Sequence, residues 1–353
     1  MEEAIIIEIS DRKLLPTIPA IDTVIELAAR NHMNELTKPL GALGSLEELV
    51  IRLAGITGEV VPDIGRKAMV VFCGDHGVTA EGVSAYPPEV TGLMIHNFCK
   101  GGAAVNVLSR NVGAQVKVVD VGSSLRELPD GVVDRKVRYG TANMAVGPAM
   151  KRAEAEKAIQ IGIEIAKDLK VEGVQLAGVG EMGIGNTTAA SAVASAMTGI
   201  PAQELVGRGT GIDEATWQQK VEIVCKSLAV NQPDRVDAID VLAKVGGLEI
   251  AAMTGFVLGA ASVRLPVVID GLISTVAAFA AVNLSSDVRQ YLFASHLSVE
   301  PAHRILLDRI GLESLIDAKM RLGEGSGAVL SFPMFDSAVA IAREMATFAD
   351  LGL

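Results

Sequence analysis

The chain has 353 residues and a formal net charge of −11, which argues against a nucleic-acid partner or an anionic membrane surface. Half of the residues are hydrophobic but only 3% are aromatic, so the core is expected to consist of aliphatic residues and methionine, with 36 glycines allowing close backbone approach. Three cysteines without metal-ligand spacing, a start without signal-peptide layout and no apolar segment long enough to span a bilayer predict a cytoplasmic protein.

The N-terminal segment is predicted to be helical. Apolar residues recur at helical spacing in Ile21–Ala29 and in Leu46–Leu53, with charges on the opposite faces. A loop containing proline and glycines separates the two helices, and Ser45 is predicted to cap the second one in a capping box with Glu48. Lys38 in this loop is expected to be a solvated cation, with an anion within its reach as the alternative.

From residue 67 onward, apolar strand-like runs alternate with helical segments. Runs that are apolar on both faces and alternate with helices predict a doubly wound, mainly parallel α/β sheet. Val132–Gly147 interrupts the alternation and is predicted to be an antiparallel excursion, whereas Arg152–Leu169 and Phe332–Phe348 are predicted helices. The predicted strands are Ala68–Cys73, Val116–Val121, Val174–Ala177, Leu265–Ile269 and Tyr291–Ala294.

Residues that could carry chemistry follow these predicted strands. In a parallel sheet, ligands bind beyond the carboxyl ends of the strands, so a site is expected at that edge. His76 is expected to hold a loop by hydrogen bonds, because the other histidines lack the spacing of a metal site. The residues at the predicted strand ends are Asp75, His76, Glu181, Asp270, Ser295 and His296.

Val174–Ser191 combines a short apolar run, four glycines and the start of an Ala/Ser/Thr-rich helix. Such a strand, turn and helix N-terminus form an anion site through free N–H groups and the helix dipole. Gly178 to Gly183 also match the dinucleotide-binding pattern GxGxxG, so an oxidoreductase and a purely structural turn remain alternatives. Because Gly199–Asp213 is a glycine-rich loop and not a second strand, phosphate binding is favoured. Glu181, an acid within the turn, is expected to have a different task.

Glu324 and Lys220 are two further charged candidates. The glycines on either side of Glu324 either open its carboxylate to a ligand or merely form a surface turn with an exposed acid. By default Lys220 on its helix is solvated, but it follows two glycine-rich loops and could neutralise a phosphate. Four apolar side chains near strand ends could stack on a flat ring: Phe72, Tyr86, Met94 and Leu322. Together these features suggest acid–base chemistry on a flat partner beside a bound ribose phosphate.

Several long strings of the sequence, in the same order, identify a known family. They are LTKPLGALGSLEELVIRLAG, GDHGVTAEGVSAYP, NMAVGPAM, GVGEMGIGNTT, VGRGTGID, NQPDRVDAIDVLAKVGG, MTGFVLGAA, LPVVIDGLIS and LGEGSGA. Over nearly its whole length the chain resembles the nicotinate-nucleotide–dimethylbenzimidazole phosphoribosyltransferases of cobalamin biosynthesis. The resemblance implies a homodimer without metal or cofactor, with a large Rossmann-like domain over residues 61–319 and a small helical domain from residues 1–60 and 320–353.

The resemblance also implies the reaction and the residues that carry it. Ribose phosphate would pass from nicotinate mononucleotide to a benzimidazole-type base with inversion at the anomeric carbon, giving nicotinate as the second product. Glu324 would be the general base and Glu181 a second carboxylate near the reacting centre. The implied phosphate site comprises Gly183, Gly185, Asn186, Thr187, Gly207, Gly209 and Lys220, and the implied base site Tyr86, Met94, Ser298 and Leu322.

Two positions depart from what the resemblance implies. Met94 stands where the family is expected to have a glutamine, and Tyr86 where it is expected to have a smaller residue, so the accepted base stays open. A catalytically inactive relative that serves as a binding partner is a further alternative, against which the intact Glu324 argues.

Overall fold

The computed structural model describes residues 14–209 and 211–352. The predictions for residues 1–13 lie outside the described residues. The strands are β1 (Lys67–Gly74), β2 (Gln115–Gly122), β3 (Val132–Asp134), β4 (Leu176–Met182), β5 (Val267–Ile269), β6 (Leu292–His296) and β7 (Ser314–Ile316). The helices are α1 (Thr23–Glu35), α2 (Ser45–Thr57), α3 (Val90–Cys99), α4 (Ala104–Asn111), α5 (Arg152–Val171), α6 (Asn186–Thr198), α7 (Ala202–Leu205), α8 (Glu214–Asn231), α9 (Ala238–Val245), α10 (Leu248–Ser262), α11 (Leu272–Leu284), α12 (Pro301–Ile310) and α13 (Ser326–Glu344).

The strands form one seven-stranded sheet in the order β3-β2-β1-β4-β5-β6-β7. Every pair in it is parallel, which confirms the predicted doubly wound α/β fold. The direction of winding reverses between β1 and β4, where Val71 lies opposite Gly180. A crevice opens beyond the strand ends at such a reversal, so this is the expected place for a ligand.

Each of the five predicted strand runs overlaps a strand of this sheet, although β4 continues to Met182 through Gly178 and Gly180, which were predicted to lie in the turn. The prediction for Val132–Gly147 is wrong. Val132–Asp134 pairs with β2 in parallel, with Val132 opposite Val118, and is not an antiparallel excursion. A three-residue edge strand is too short for its direction to be recognised from alternation. The predicted helix Arg152–Leu169 is confirmed as α5.

The most apolar helices pack around the middle of the sheet. α10 and α11 are buried along almost their whole length, as their composition predicts. α10 packs closely along α5 and also contacts β1 and β4, so it covers one face at the point where winding reverses. No helix in residues 14–209 or 211–352 is both long and apolar enough to cross a membrane.

The start of α2 differs from its prediction. Gly44 is the N-cap residue, and no side chain caps this helix, because it already begins at Ser45. The carboxylate that reaches back is that of Glu47, which accepts a hydrogen bond from the N–H of Leu43 at 3.0 Å. Glu48 instead pairs with Arg30 at 2.8 Å, so the predicted capping box is wrong.

Lys38 is not a solvated cation. Its side chain is buried, and its Nζ lies 2.8 Å from Oε1 of Glu47, which is buried as well. The two ends of the described chain meet near this pair, since α1 and α2 pack together, α13 packs on α2, and Leu36 bridges to Thr347. The division into domains at residues 60 and 320 stays a prediction.

Candidate active site

A cavity of about 500 Å³ lies beyond the carboxyl ends of β4, β5 and β6. It contains most of the residues that the sequence singled out. Those that line it are Tyr86, Glu181, Gly183, Gly185, Asn186, Thr187, Gly209, Lys220, Asp270, His296, Ser298, Leu322 and Glu324. Segments separated by more than 200 residues therefore meet at this edge of the sheet, where the chain order predicts a ligand site.

Glu324 lies in a left-handed turn directly before α13. Its φ is +63°, and those of Gly323 and Gly325 are +83° and +81°. A non-glycine residue rarely adopts this conformation, so the surrounding structure must impose it. Glu324 is buried against the cavity, which excludes the alternative of an exposed acid in a surface turn.

Asp270, at the end of β5, holds this turn in place. Its carboxylate accepts hydrogen bonds from the N–H groups of Gly325 at 3.0 Å, Gly327 at 2.7 Å and Ala328 at 3.1 Å. These are the otherwise unpaired donors at the N-terminus of α13, and a carboxylate there is also favoured by the helix dipole. Asp270 thus fixes the backbone that carries Glu324.

Gly180 in β4 lets the same turn lie against the sheet. A Cβ atom at this position would overlap the backbone of Glu324 and Gly325. The middle glycine of the GxGxxG match is therefore needed for packing of the Glu324 turn.

After α6 the described chain continues through α7 into α8, and the next strand is β5, whose acid Asp270 is already engaged. The arrangement of a dinucleotide-binding unit is therefore not present here.

The carboxyl groups of Glu324 and Glu181 are close enough to interact electrostatically, and both have raised pKa values. Burial raises the pKa of Glu324 to about 7, with a further contribution from Asp270. Burial also raises the pKa of Glu181 to about 8, with contributions from Glu249, Asp270 and Glu324, while a hydrogen bond from Asn186 lowers it. Carboxyl groups that titrate near neutral pH can exchange a proton with a ligand.

Lys220 supplies a buried cation to the same cavity, so it is not the solvated lysine expected by default. Its Nζ donates to Oγ1 of Thr187 at 2.9 Å and to the carbonyl of Gly207 at 3.4 Å. Burial lowers its pKa to about 8, against the opposing influence of Glu300. No side chain caps α6, whose N-terminus begins at Asn186 after Gly185. An ammonium beside an uncapped helix N-terminus is suited to an anion such as phosphate.

Two charged residues at the cavity were not singled out by sequence reasoning. Glu300 accepts a hydrogen bond from the N–H of Gly209 at 2.9 Å, and Arg321 donates to the carbonyl of Gly209 at 2.8 Å. Together they hold the backbone on both sides of the Gly209 Cα atom. Arg321 directly precedes the glycine-rich segment around Glu324, which is a weak signal, whereas nothing near Glu300 in the sequence indicates its position.

Three of the remaining predicted residues, Phe72, Met94 and Gly207, do not line this cavity. Phe72 is buried in the core edge-on to Phe256, so its predicted stacking on a ligand ring is wrong. Met94 is half-buried on α3 and is not among the residues that line the cavity. Gly207 lines an adjoining cavity of about 510 Å³ and reaches the first one through Lys220. Tyr86, by contrast, lies at the mouth and is half exposed.

His76 makes the kind of hydrogen bond that its position predicts. Its Nε2 lies 2.6 Å from Oε1 of Glu249 at the start of α10, and both side chains are buried. His296, at the end of β6, lies with its Nδ1 3.6 Å from Oδ1 of Asp270. Within the part of the chain that the structure describes, no three potential metal ligands lie together.

Comparisons with a family model, with curated sequences and with solved structures all identify relatives that are phosphoribosyltransferases. A family model described as "Phosphoribosyltransferase" matches residues 18–353. A nicotinate-nucleotide–dimethylbenzimidazole phosphoribosyltransferase of Geotalea uraniireducens is 51% identical over 343 residues, 97% of each chain. The enzyme of that name from Halalkalibacterium halodurans is 49% identical over 97% of this chain and 96% of its own. A crystal structure of the enzyme from Thermus thermophilus has a TM-score of 0.89 at 46% identity, covering 94% of this chain and 99% of that one.

Proposed function

Since the chain belongs to the nicotinate-nucleotide–dimethylbenzimidazole phosphoribosyltransferase family, we propose that it moves ribose phosphate from nicotinate mononucleotide to dimethylbenzimidazole or a similar base. The products are the α-riboside phosphate used in the cobalamin lower ligand and free nicotinate. The observation that carries this proposal is that Glu324 and the anion site around Lys220 line the same cavity.

The reaction needs a proton acceptor and an anchor for phosphate. One ring nitrogen of the base attacks C1′ of the ribose, and Glu324 accepts the proton from the other ring nitrogen. The bond from C1′ to the pyridinium nitrogen breaks, and its electron pair neutralises the pyridinium charge, so the leaving nicotinate needs no acid. A pKa of about 7 suits Glu324 to this proton transfer near neutral pH.

The phosphate anchor is assigned to the residues around α6. Lys220 and Thr187 donate to the phosphate, together with N–H groups of the turn that carries Gly183 and Gly185. Glu181 is placed near the reacting ribose, where its charged form would stabilise positive charge developing at C1′. Tyr86, Ser298 and Leu322 are assigned to the base, and Met94 keeps its predicted assignment although it does not line the cavity.

Product identification tests the proposal most directly. Purified protein is incubated with nicotinate mononucleotide and a panel of benzimidazoles, adenine and phenols, and the products are identified by mass spectrometry and by the anomeric NMR signal. Formation of nicotinate and an α-riboside phosphate supports the proposal. If the protein alone produces neither in a single-turnover assay, the inactive-partner alternative holds instead.

Several flat bases are expected to be accepted at similar rates. Tyr86 and Leu322 offer aromatic and apolar surface to the base, and both are more than half exposed. Two methyl groups against such walls are worth only a few kcal/mol, so kcat/KM for dimethylbenzimidazole and for unsubstituted benzimidazole should differ by less than about 100-fold. A larger ratio would show that the pocket is shaped for one base.

The pH dependence of kcat/KM for the nucleotide is expected to be bell-shaped. Activity rises with pH through about 7, because Glu324 must lose its proton before it can act as a base. It falls above about 8, because Lys220 must be protonated to bind phosphate. In Glu324→Gln the acidic limb should disappear; a limb that persists would contradict this assignment. In Lys220→Arg the alkaline limb should move upward, whereas an unmoved limb would contradict its assignment to Lys220.

Assembly, location and cofactor use complete the proposal. A homodimer remains a prediction, which light scattering on the purified protein can test. A cytoplasmic location is supported by the three cysteines, which are free thiols. The absence of a metal or cofactor requirement also stays a prediction, and turnover after chelator treatment tests it.

A further inference from the structure

A buried ion pair lies directly beneath the proposed phosphate site. His76 follows β1 and Glu249 begins α10, and their side chains are 1% and 0% exposed. Neither residue lines the cavity. The His76–Glu249 pair therefore cannot touch the substrate in this structure, yet it occupies the strand edge at which the site is built.

The imidazole of His76 is held between the glycine turn and the start of α10. A Cβ atom on Gly183 would come within 3.3 Å of His76 Cδ2, and one on Gly185 within 3.3 Å of His76 Cβ. On the opposite side, a Cβ atom on Gly247 would overlap His76 Cε1. Because protein interiors are densely packed, a shift of the ring displaces the turn that carries Gly183 and Gly185.

Several ionisable groups lie near the His76–Glu249 pair and interact electrostatically with it. Asp75 and Glu249 both raise the pKa of His76 against the effect of its burial. Glu181 and Cys73 also face the charge of Glu249, and Glu249 Oε2 is buried without a hydrogen-bond partner. Buried ion pairs contribute little net stability because desolvation offsets their attraction. A role in fixing position explains the pair better than a role in stability.

We propose that the His76–Glu249 pair is a positioning element for the phosphate turn at Gly183 and Gly185, and that it sets the affinity for the phosphorylated substrate. The identity of that substrate rests on the proposed function. The pair acts through the backbone of the turn, so it should affect the nucleotide much more than the base, which binds nearer to Glu324.

Glu249→Asp tests the proposal, because it keeps the charge but withdraws the carboxylate from His76. We expect KM for nicotinate mononucleotide to rise about tenfold or more, with KM for the base changed less than twofold and kcat changed less than the nucleotide KM. Glu47→Asp is the matched control, since it shortens a carboxylate in another buried pair, that with Lys38. It should lower the melting temperature without changing the ratio of the two KM values.

Glu249→Gln provides a rescue, because it keeps the length and can still accept a hydrogen bond from neutral His76. Its nucleotide KM should rise less than about threefold; a rise equal to that of Glu249→Asp would contradict positioning. Equal rises in both KM values, or the same selectivity in Glu47→Asp, would also overturn the proposal. If Glu249→Asp does not fold, Gly247→Ala gives a second test, since its extended backbone, with φ of −138°, accepts alanine and the new Cβ atom displaces both the imidazole of His76 and the carboxylate of Glu249.

Binding of ribose 5-phosphate, measured by calorimetry, separates this proposal from the proposed function. The measurement requires no turnover and no particular base. Weaker binding in Glu249→Asp than in the unaltered chain supports the positioning role even if the transfer reaction proves to be different. Unchanged binding overturns it even if the transfer reaction is observed.

Discussion

Replacement of Glu324 by glutamine is expected to lower kcat by about 10²- to 10⁴-fold, the usual contribution of a general base. Glutamine keeps the shape of the side chain but cannot take the azole proton. The turn itself should survive, because Asp270 binds backbone N–H groups and not the Glu324 side chain. Turnover is measured at saturating concentrations of both substrates, and calorimetry should show that both still bind.

Glu181→Gln is the comparison for this variant. It should reduce kcat less than Glu324→Gln does, unless Glu181 stabilises positive charge on the ribose, in which case the two losses would be similar. Both variants should be followed across pH, since burial raises the pKa of Glu324 to about 7 and that of Glu181 to about 8. If Glu324→Gln kept more than about a tenth of the original kcat, Glu181 would be the better candidate for the base.

Lys220→Ala is expected to weaken binding of nicotinate mononucleotide by about 1.5–3 kcal/mol, which corresponds to about 10- to 150-fold. The protein carries a net charge of −11, so no general positive field can compensate for this one buried ammonium. Binding of the free base should change little. Calorimetric titration with each ligand separately measures both effects, and equal losses for the two would count against a phosphate-specific role.

Truncating Lys220 also leaves a void, so the charge must be tested apart from the packing. Lys220→Met fills nearly the same volume without a charge, and it should weaken the nucleotide as much as Lys220→Ala does. Lys226 lies on the same helix with half of its side chain exposed, so Lys226→Ala is a matched surface control that should leave both affinities unchanged. A recovery of affinity in Lys220→Met would assign the effect to packing.

The sheet and the edge that carries the site were predictable from the sequence. Buried parallel strands are apolar throughout and end in polar or glycine-rich turns, and this pattern is local in the chain. It placed Asp270 and His296 at strand ends, and both line the cavity. The short edge strands β3 and β7 are only partly buried, so their residues carry a weaker apolar signal.

The burial of individual lysines was not predictable from the sequence. Lys38 and Lys220 each lie in an ordinary polar context, and both are buried. Lys38 finds its partner Glu47 only through the fold of the intervening loop, and Lys220 is covered by the loop that returns through Gly207. Such partners are set by tertiary packing, which leaves no periodic trace in the sequence. Phe72, by contrast, lies in a strand predicted to be apolar on both faces, so its burial was predictable and its assignment to a ligand ring overlooked that pattern.

The hydrogen bonds between Asp270 and the N-terminus of α13 have a consequence for folding during synthesis. The strand that ends in Asp270 is synthesised well before residues 325–328, whose N–H groups occupy its carboxylate. Since chains fold progressively from the N-terminus during synthesis, the sheet can assemble while Asp270 still lacks these donors and the proposed base Glu324 has not yet emerged. A chain that terminates prematurely before α13 would retain an unsatisfied buried acid and would lack the turn that carries Glu324. Such a product is expected to be inactive and prone to degradation.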